Sequence, residues 1–303
     1  MGEPATLTAE NAAHFPREVA AVVVTYDGMP WIERCLESVR GYPTVVVDHG
    51  STDGTLETAR RFEHVRVVEQ ENRGVGGGWN RGLAETSEPW VLLLNADAWV
   101  LGDAVERLVA FGEERPRAAL VGPKLLNTDG SLQRSARGFP TPWRLATEYF
   151  FLRKLAPRTR AFNAFYAANW DHSSAREVEW LMGAAMLVRR AAVDEVGGLD
   201  ESFFMFNEES DWQYRMREAD WEIWFSPDAE VVHVGGGTTK REWARMFATQ
   251  VRSHVRFVRK HRGPGAAALT RALLFTALVL RGLVFRGERG ASYRAGARGL
   301  LRP

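Results

Sequence analysis

The sequence predicts an α/β fold in which a mostly parallel central sheet carries helices on both faces. Four short runs of apolar and β-branched residues predict buried strands at 19–25, 44–47, 65–68 and 90–94. Helical patterns lie between these runs at 29–40, 55–62 and 79–86, so the order of elements is β-α-β-α-β-α-β. Strands that alternate with helices in this way join into a parallel sheet through right-handed crossovers.

The pattern beyond residue 100 is mixed. We expect helices at 103–114, 190–196 and 207–219, and strands at 178–189 (broken at Gly183), 221–225 and 229–234. The stretch 131–178 is rich in loops, and two basic amphipathic helices, separated near Gly263 and Pro264, occupy 240–286. The chain therefore divides into an N-terminal extension (1–18), an α/β body (19–239) and a helical C-terminal region (240–303).

The composition of the 303 residues excludes several classes of protein. Hydrophobic residues make up 45% and charged residues 25%, which are ordinary globular values and exclude wholesale disorder. The single cysteine, Cys35, excludes an intramolecular disulfide and a multi-cysteine metal site, and is typical of a reducing compartment. The polar N-terminus lacks the apolar stretch of a secretory signal, so we expect none.

Charge is distributed unevenly along the chain. From Lys240 onward, 15 Lys and Arg residues against two acids give a net charge of +13, whereas residues 1–239 carry −12. This asymmetry indicates an anionic partner for the C-terminal region. Its longest uncharged run, 272–280, is well short of the roughly 20 residues of a spanning helix, so we expect these helices to lie on a membrane surface. The alternatives are packing against the acidic body and binding nucleic acid, for which the chain shows no usual recognition motif.

Polar features follow three strands of the predicted sheet. Asp48 follows the second strand, the glycine-rich segment 71–78 follows the third, and Asn95 and Asp97 follow the fourth. Ligands of open α/β sheets bind beyond the carboxyl ends of the strands, so these features are expected to line one site. Each of them taken alone could equally be a plain turn.

These features differ in what they indicate. The glycine-rich segment matches neither the dinucleotide fingerprint nor the P-loop, although its glycines permit close backbone approach to a phosphate or sugar. A carboxylate at a strand end, such as Asp97, can hold Mg²⁺ or Mn²⁺ over a nucleotide diphosphate. His233, which ends a strand just before glycines, is a candidate metal or phosphate contact, with a structural role as the alternative.

An acidic cluster opens the helix predicted at 207–219. Glu208, Glu209 and Asp211 fall in its first turn, and Arg215 follows one turn later. Acids at this position complement the helix dipole, and Asp211 with Arg215 is an i,i+4 pair, so a purely structural role would account for them. The functional alternative is a carboxylate pair in which like-charge repulsion keeps one member basic.

Taken in order, these segments resemble the motifs of inverting glycosyltransferase family 2, whose members have the GT-A fold. The matching segments, from the opening strand through the metal-binding segment to the closing strand, are 22–39, 45–55, 71–83, 92–100, 182–217 and 226–238. Segment 121–143 is similar to bacterial rhamnosyltransferase-like members that build cell-envelope glycans on a polyprenyl diphosphate.

The resemblance implies a nucleotide-sugar-binding half (19–100) and an acceptor and catalytic half (101–239). Asp48 would hydrogen-bond a pyrimidine base, Asp97 would bind a Mg²⁺ or Mn²⁺ ion that bridges the donor diphosphate, and Arg215 would contact that diphosphate. His233 is a further candidate metal ligand. The implied donor-site residues are Thr25, Asp48, Ser51, Asp53, Asn72, Gly74, Gly78, Asn80, Asn95, Asp97 and Arg215.

The resemblance also implies a catalytic base. Glu209 falls where the family usually has an aspartate in this role, and Glu208 precedes it, so either could act. The metal segment departs from the usual Asp-x-Asp pattern because Asn95 stands at its first position. The implied acceptor region comprises Arg137, Gly183, Ala184 and Trp212.

We therefore expect a metal-dependent inverting glycosyltransferase that moves L-rhamnose from dTDP-L-rhamnose to a lipid-linked or glycan acceptor in cell-envelope polysaccharide synthesis. The alternatives are UDP- or GDP-sugar donors, for galactofuranosyl, glucosyl or mannosyl transfer, and a catalytically silent nucleotide-sugar-binding protein. Such an enzyme would work in the cytoplasm, held peripherally on the inner face of the cell membrane by residues 240–303. A polyprenyl-diphosphate acceptor lies at that surface, and no nucleic-acid partner is expected.

Overall fold

The computed structural model describes residues 18–156, 159–167, 170–235 and 243–301. All but the last residue of the predicted N-terminal extension therefore lies outside the described residues, as do 236–242, where the C-terminal region was expected to begin.

Twelve strands are present in the described residues. They are β1 (Val19–Thr25), β2 (Thr44–Asp48), β3 (Val65–Glu69), β4 (Trp90–Asn95), β5 (Ala98–Val100), β6 (Ala118–Leu126), β7 (Leu132–Gln133), β8 (Ala136–Arg137), β9 (Arg176–Glu177), β10 (Trp180–Leu181), β11 (Ala185–Arg189) and β12 (Glu222–His233). The central sheet has the order β3-β2-β1-β4-β11-β6-β12-β5. The pairs β2–β3, β1–β2, β1–β4 and β6–β12 are parallel, whereas β11 runs antiparallel to both β4 and β6.

Helices cover both faces of this sheet and extend beyond it. They are α1 (Ile32–Ser38), α2 (Thr55–Ala59), α3 (Gly74–Ala84), α4 (Ala104–Glu113), α5 (Pro142–Tyr149), α6 (Arg160–Asn163), α7 (Arg190–Val196), α8 (Glu208–Glu218), α9 (Trp243–Val284) and α10 (Gly287–Leu300). The α/β fold and its first four strands are therefore confirmed. One apolar cluster packs on each face of the sheet.

The glycine-rich segment is helical from Gly74 onward, which corrects the expectation of a loop over 71–78. Gly74 has a φ of 79°, and a Cβ there would lie 1.9 Å from the carbonyl oxygen of Phe204. A Cβ at Gly82 would lie 2.1 Å from Cγ1 of Val22 in β1. The glycines therefore let α3 pack directly on the sheet and against the segment that precedes α8.

Several elements of the second half differ from the expectation. The two strands expected at 221–225 and 229–234 are one strand, β12, with a register irregularity between Ser226 and Glu230. The stretch expected to be loops contains β7 to β9, α5 and α6. The sequence analysis also missed β5, β6 and α10. The break in the C-terminal helices is confirmed, because Gly263 has non-helical φ and ψ of 84° and 172°.

A third apolar cluster joins the C-terminal helices to the rest of the chain. It brings together Phe139, Leu145, Tyr149, Trp180 and Phe203 with Phe247, Val251, Val255, Phe257, Val258, Ala267, Leu274, Ala277, Leu278, Tyr293, Ala297 and Leu300. The alternative that these helices pack on the body is therefore confirmed.

Buried charge strengthens the junction between α8 and α9. Asp211, which is fully buried, lies 2.8 Å from Nζ of Lys260, 2.7 Å from Nε2 of His261 and 3.0 Å from Nε of Arg215. Although burial acts in the opposite direction, the hydrogen bonds from His261 and Lys260 lower the pKa of Asp211 below its usual range. Removing one partner of such a buried cluster is strongly destabilising, so α9 is an integral support of α8.

Helix α9 is more apolar than its longest uncharged run suggests. Between Ala244 and Val284 an 18-residue window has a mean hydropathy of 1.7, so by length and composition this helix could cross a membrane. Core helices of soluble proteins can meet the same criterion, and only 28% of this window is buried within the protein. The apolar side chains that it leaves exposed are Leu269, Val279, Leu280, Leu283 and Val284.

Candidate active site

Asp48 ends β2 and organises the turn that follows. Its side chain is fully buried, and Oδ2 accepts hydrogen bonds of 2.9 Å from both backbone N–H groups of Gly50 and Ser51. The Ser51 hydroxyl donates to Oδ1 of the same carboxylate. Asp48 therefore shapes the loop at the strand end, and its contact with a nucleotide base stays a prediction.

Two loops at this edge are joined by side chains of the predicted donor site. The backbone N–H of Asp27 donates to Oγ of Ser51 (2.9 Å), and that of Met29 donates to Oδ2 of Asp53 (2.9 Å). Thr25 lies beneath them, and its buried hydroxyl has no hydrogen-bond partner among the described residues. The carboxyl ends of β1 and β2 therefore form one connected platform.

A histidine and an aspartate meet at the ends of β12 and β4. The side-chain nitrogen of Gln133 donates to the His233 carbonyl oxygen (3.2 Å) and to Asn127 (3.0 Å), so its Oε1 faces Nδ1 of His233 at 2.7 Å. Nδ1 then carries a proton toward Gln133, and Nε2 lies 3.3 Å from Oδ1 of Asp97. An imidazole nitrogen and a carboxylate oxygen therefore face each other at this edge of the sheet.

The pair of Asp97 and His233 suits a divalent cation. Carboxylate oxygen and imidazole nitrogen both bind Mn²⁺, and Mg²⁺ usually takes only one or two protein carboxylates beside substrate phosphates. Within the residues that the structure describes, no group of three His, Cys, Asp or Glu side chains could hold a metal by itself. A metal here would need further ligands, and the diphosphate of a nucleotide supplies them.

The two glutamates at the start of α8 occupy different environments. Glu208 is buried beside Gly76 of α3, and its Oε2 has no hydrogen-bond partner among the described residues. Burial, followed by the nearby charge of Glu209, raises the pKa of Glu208 well above its usual range. Its surroundings therefore favour the protonated form of Glu208.

Glu209 is partly exposed, although its Oε2, like that of Glu208, is buried without a hydrogen-bond partner among the described residues. Burial raises its pKa, but hydrogen bonds from backbone N–H groups, including that of Gly183, and the charge of Arg137 act in the opposite direction. Of the two acids, Glu209 is the one suited to be ionised. The structure thus brings Arg137 and Gly183, two residues of the predicted acceptor region, to Glu209.

The backbone beside Glu209 is hydrogen-bonded to the end of β4. Gly183 precedes Ala184, whose carbonyl oxygen accepts a 3.0 Å hydrogen bond from the backbone N–H of Asn95. Asn95 is two residues before Asp97 in the chain. One backbone hydrogen bond therefore links the segment that holds Gly183 to the segment that leads to Asp97.

Other predicted site residues have structural roles. Trp212 is fully buried, and its indole N–H donates to the Gly197 carbonyl (2.8 Å), which corrects its assignment to the acceptor region. The Arg215 guanidinium donates to Val196 (3.0 Å) and Gly198 (2.6 Å) as well as to Asp211. The Arg215 guanidinium, which was expected to contact the donor diphosphate, is therefore already hydrogen-bonded within the protein.

The residues of the glycine-rich segment are also engaged within the protein. Asn80 donates to the Leu199 carbonyl (2.9 Å) and to Glu201 (3.0 Å), and it accepts from the Leu199 N–H (2.7 Å). Asn72 caps the start of α3 by accepting from the Gly74 N–H at 3.0 Å. A Cβ at Gly78 would lie 2.7 Å from Val24 in β1, so this glycine serves packing rather than phosphate approach.

Gln133 was missed by the sequence analysis. Its role depends on the tautomer of a histidine that lies 100 positions away in the chain, and no local motif signals such a contact. Tyr166 and Arg153, which lie on the acceptor side of Arg137, were missed for the same reason.

The central sheet and the helices on its two faces have the GT-A fold. The overall fold is similar to that of a mannosyltransferase from Pyrobaculum calidifontis, solved with GDP-Man and Mn²⁺, at 18% identity and a TM-score of 0.56. That comparison covers 95% of this chain and 88% of the other. A structure of GalNAc-T7 with UDP, GalNAc and Mn²⁺ has a TM-score of 0.54 at 18% identity, covering 71% of this chain and 43% of that one.

The sequence comparisons define the family. The model described as glycosyl transferase family 2 matches residues 20–197. The chain belongs to glycosyltransferase family 2 and is a glycosyltransferase.

Two curated relatives carry more detailed names. An N-acetylglucosaminyl-diphospho-decaprenol L-rhamnosyltransferase of Mycobacterium tuberculosis is 33% identical over 250 residues, which is 77% of this chain and 81% of the relative. A low-salt glycan biosynthesis hexosyltransferase of Haloferax volcanii is 22% identical over 221 residues, covering 71% of this chain and 67% of the relative.

Proposed function

We propose that this enzyme transfers L-rhamnose, with inversion, from dTDP-L-rhamnose to a hydroxyl of a sugar on a polyprenyl diphosphate. The observation that carries the reaction is the position of Glu209, which is supported as an anion by Gly183 and Arg137 next to the strand that leads to Asp97. The identity to the mycobacterial rhamnosyltransferase supports the choice of donor and of a lipid-linked acceptor.

The residues of this chain supply the proton transfer. Glu209 accepts the proton of the acceptor hydroxyl. The hydroxyl oxygen attacks the anomeric carbon of the donor sugar, and the bond between that carbon and the donor diphosphate breaks on the opposite face. Burial favours the neutral form of Glu208, and this lessens the repulsion that Glu209 meets when it is ionised. Asp97 and His233 would hold Mg²⁺ or Mn²⁺, which neutralises charge on the departing diphosphate.

A donor screen tests this proposal. Since a ligand that binds only the folded state stabilises it by mass action, dTDP-L-rhamnose with Mn²⁺ is expected to raise the melting temperature more than UDP- or GDP-sugars. At a concentration of 100 times the dissociation constant the gain is about 2.7 kcal/mol. A larger shift with a UDP- or GDP-sugar would replace rhamnose by galactofuranose, glucose or mannose in the proposal.

Turnover distinguishes an enzyme from a silent nucleotide-sugar-binding protein. We expect release of dTDP from dTDP-L-rhamnose only when a polyprenyl-diphosphate-linked acceptor is present. Binding of the donor with no product under any acceptor would contradict the proposed reaction and favour the silent alternative.

We also propose that the protein lies on the inner face of the cell membrane, where a lipid-linked acceptor is found. The exposed apolar side chains of α9 support this, because Leu280 is 51% exposed and Leu283 is 77% exposed on a helix whose other face is in the core. Arg271 and Arg286 flank them at positions that can reach anionic head groups.

Flotation with liposomes tests the membrane contact. A double Leu280→Asp, Leu283→Asp variant is expected to lose binding to anionic vesicles, because two charges would enter the apolar interface. Binding of the parent protein should fall with added salt. Leu301→Asp, at a side chain that is 70% exposed outside α9, serves as the control. Equal flotation of the parent protein and the double variant would contradict the proposal.

A further inference from the structure

A row of arginines leads from the proposed base to the C-terminal helix α9. Arg137 acts electrostatically on Glu209, and its guanidinium lies 4.8 Å from the ring centre of Tyr166. The guanidinium of Arg153 lies 5.4 Å from the same ring. One aromatic ring thus connects two cations on the acceptor side of the site.

The row continues through Glu148 to Arg281 of α9. Arg153 Nε lies 2.7 Å from Oε2 of Glu148, and Arg281 donates to the Glu148 carbonyl oxygen at 2.8 Å. Three guanidinium groups therefore accompany two carboxylates, those of Glu148 and Glu209, which leaves an excess of positive charge. Nε of Arg281 is buried and has no hydrogen-bond partner in the part of the chain that the structure describes, and its guanidinium lies against the rings of Tyr149, Phe151 and Tyr293.

Aromatic and apolar side chains lie at the outer end of the row. The guanidinium of Arg281 lies 3.8 Å from the ring centre of Phe151, and that ring is 6.4 Å from the ring of Phe285. Val284, next to Phe285, is 75% exposed. From the base outward, the surface therefore changes from an anion through a set of cations to apolar rings.

We propose that this row binds the lipid-linked acceptor beyond its sugar: Arg137, Arg153 and Arg281 hold the diphosphate, and Phe151 and Phe285 contact the first isoprenoid units. The inference rests on the proposed function. Taken outward from Glu209, the anion, the cations and the apolar rings follow the order of the parts of such an acceptor, which are a sugar hydroxyl, a diphosphate and a hydrocarbon chain. The cations match the charge of a diphosphate, and arginine forks pair well with phosphate oxygens. The rings of Phe151 and Phe285 are apolar, as is the isoprenoid chain that they would contact.

Binding of farnesyl diphosphate tests this site without any catalysis. By calorimetry in the absence of donor, Arg153→Gln and Arg281→Gln are each expected to weaken its affinity by about 10–100-fold, the loss of a charge-assisted contact. Arg252→Gln, at an exposed arginine of the same helix, is the matched control and should leave the affinity unchanged. Farnesol and inorganic pyrophosphate should each bind more weakly than farnesyl diphosphate, because each lacks half of the ligand.

Two results would overturn the diphosphate site. The first is unchanged affinity in Arg153→Gln, where the side chain is 39% exposed and its loss is tolerated by the fold. The second is that the arginine variants lose only flotation on phosphatidylglycerol vesicles and keep their affinity for farnesyl diphosphate. The cations would then bind lipid head groups. Weakened farnesyl diphosphate binding supports the site even if the donor screen fails, so the two proposals can fail separately.

Discussion

Glu209→Gln is expected to lower the rate of sugar transfer by about 10²–10⁴-fold while leaving nucleotide affinity nearly unchanged. The amide keeps the size of the side chain and can still face the Gly183 backbone, but it cannot accept the proton of the acceptor hydroxyl. The measurement is the turnover number with saturating donor and acceptor, beside calorimetry of dTDP with Mn²⁺.

Glu208→Gln is the matched control for this experiment. Because burial favours the neutral form of Glu208, its amide variant should retain most of the activity. The opposite result, with loss in Glu208→Gln and near-parent activity in Glu209→Gln, would move the role of base one residue back.

The pH dependence gives a second, independent readout. Burial leaves the pKa of Glu209 above its usual range, and only the deprotonated form acts as the base. The rate of the parent protein should therefore fall as the pH falls through this raised pKa, earlier than for an exposed glutamate. A rate that stays constant through the range in which buried glutamates titrate would contradict the assignment.

The sequence predicted those elements whose residue pattern is visible within one short segment. The apolar runs of β1, β2 and β4 are largely buried, so their apolar character alone identified them. The run at 65–68 is a strand as predicted but not a buried one, because β3 lies at the edge of the sheet and is partly exposed. The central strand β6 escaped notice because Gly122, Pro123 and Lys124 interrupt its apolar run. Its burial depends on its neighbours β11 and β12, which the sequence places far away.

In the candidate site, too, short segments indicate candidate residues, whereas tertiary packing decides their contacts. A carboxylate after an apolar strand was enough to select Asp97, and an acidic pair was enough to select Glu208 and Glu209. Residue type could not show which hydrogen-bond partner a side chain takes, so Arg215 and Asn80 were assigned to the donor although loops 196–198 and 199–201 engage them. Such partners are set by tertiary packing.

The C-terminal region packs on the body and also leaves part of α9 exposed. One face of α9 is in the core with α5, and the buried Asp211 pairs with Lys260 and His261. The remaining face is apolar beyond Gly263 and basic before it. A helix can therefore support the catalytic helix α8 and still present a surface to lipid, because the two tasks use different faces.

Asp97→Ala is expected to abolish the increase in dTDP affinity that Mn²⁺ produces, while metal-free binding of dTDP is retained. The Asp97 carboxylate supplies the negative charge that faces Nε2 of His233 at 3.3 Å, so its loss leaves the neutral imidazole as the ligand of this pair. Calorimetry of dTDP with and without Mn²⁺ measures the effect.

Gln133→Ala extends this test to the side chain that hydrogen-bonds Nδ1 of His233 and so fixes its tautomer. Without the Gln133 acceptor, Nδ1 of His233 loses the 2.7 Å contact that holds its proton, and the ring can adopt the other tautomer. Loss of such a partner typically lowers metal affinity by about 10–100-fold, so Gln133→Ala should weaken the Mn²⁺ effect without abolishing it. Asp48→Ala supplies the contrast, because it should weaken dTDP binding equally with and without metal by disrupting the loop at the end of β2. If Asp97→Ala binds dTDP with Mn²⁺ as tightly as the parent protein does, the metal lies elsewhere, and neither Asp97 nor His233 is its ligand.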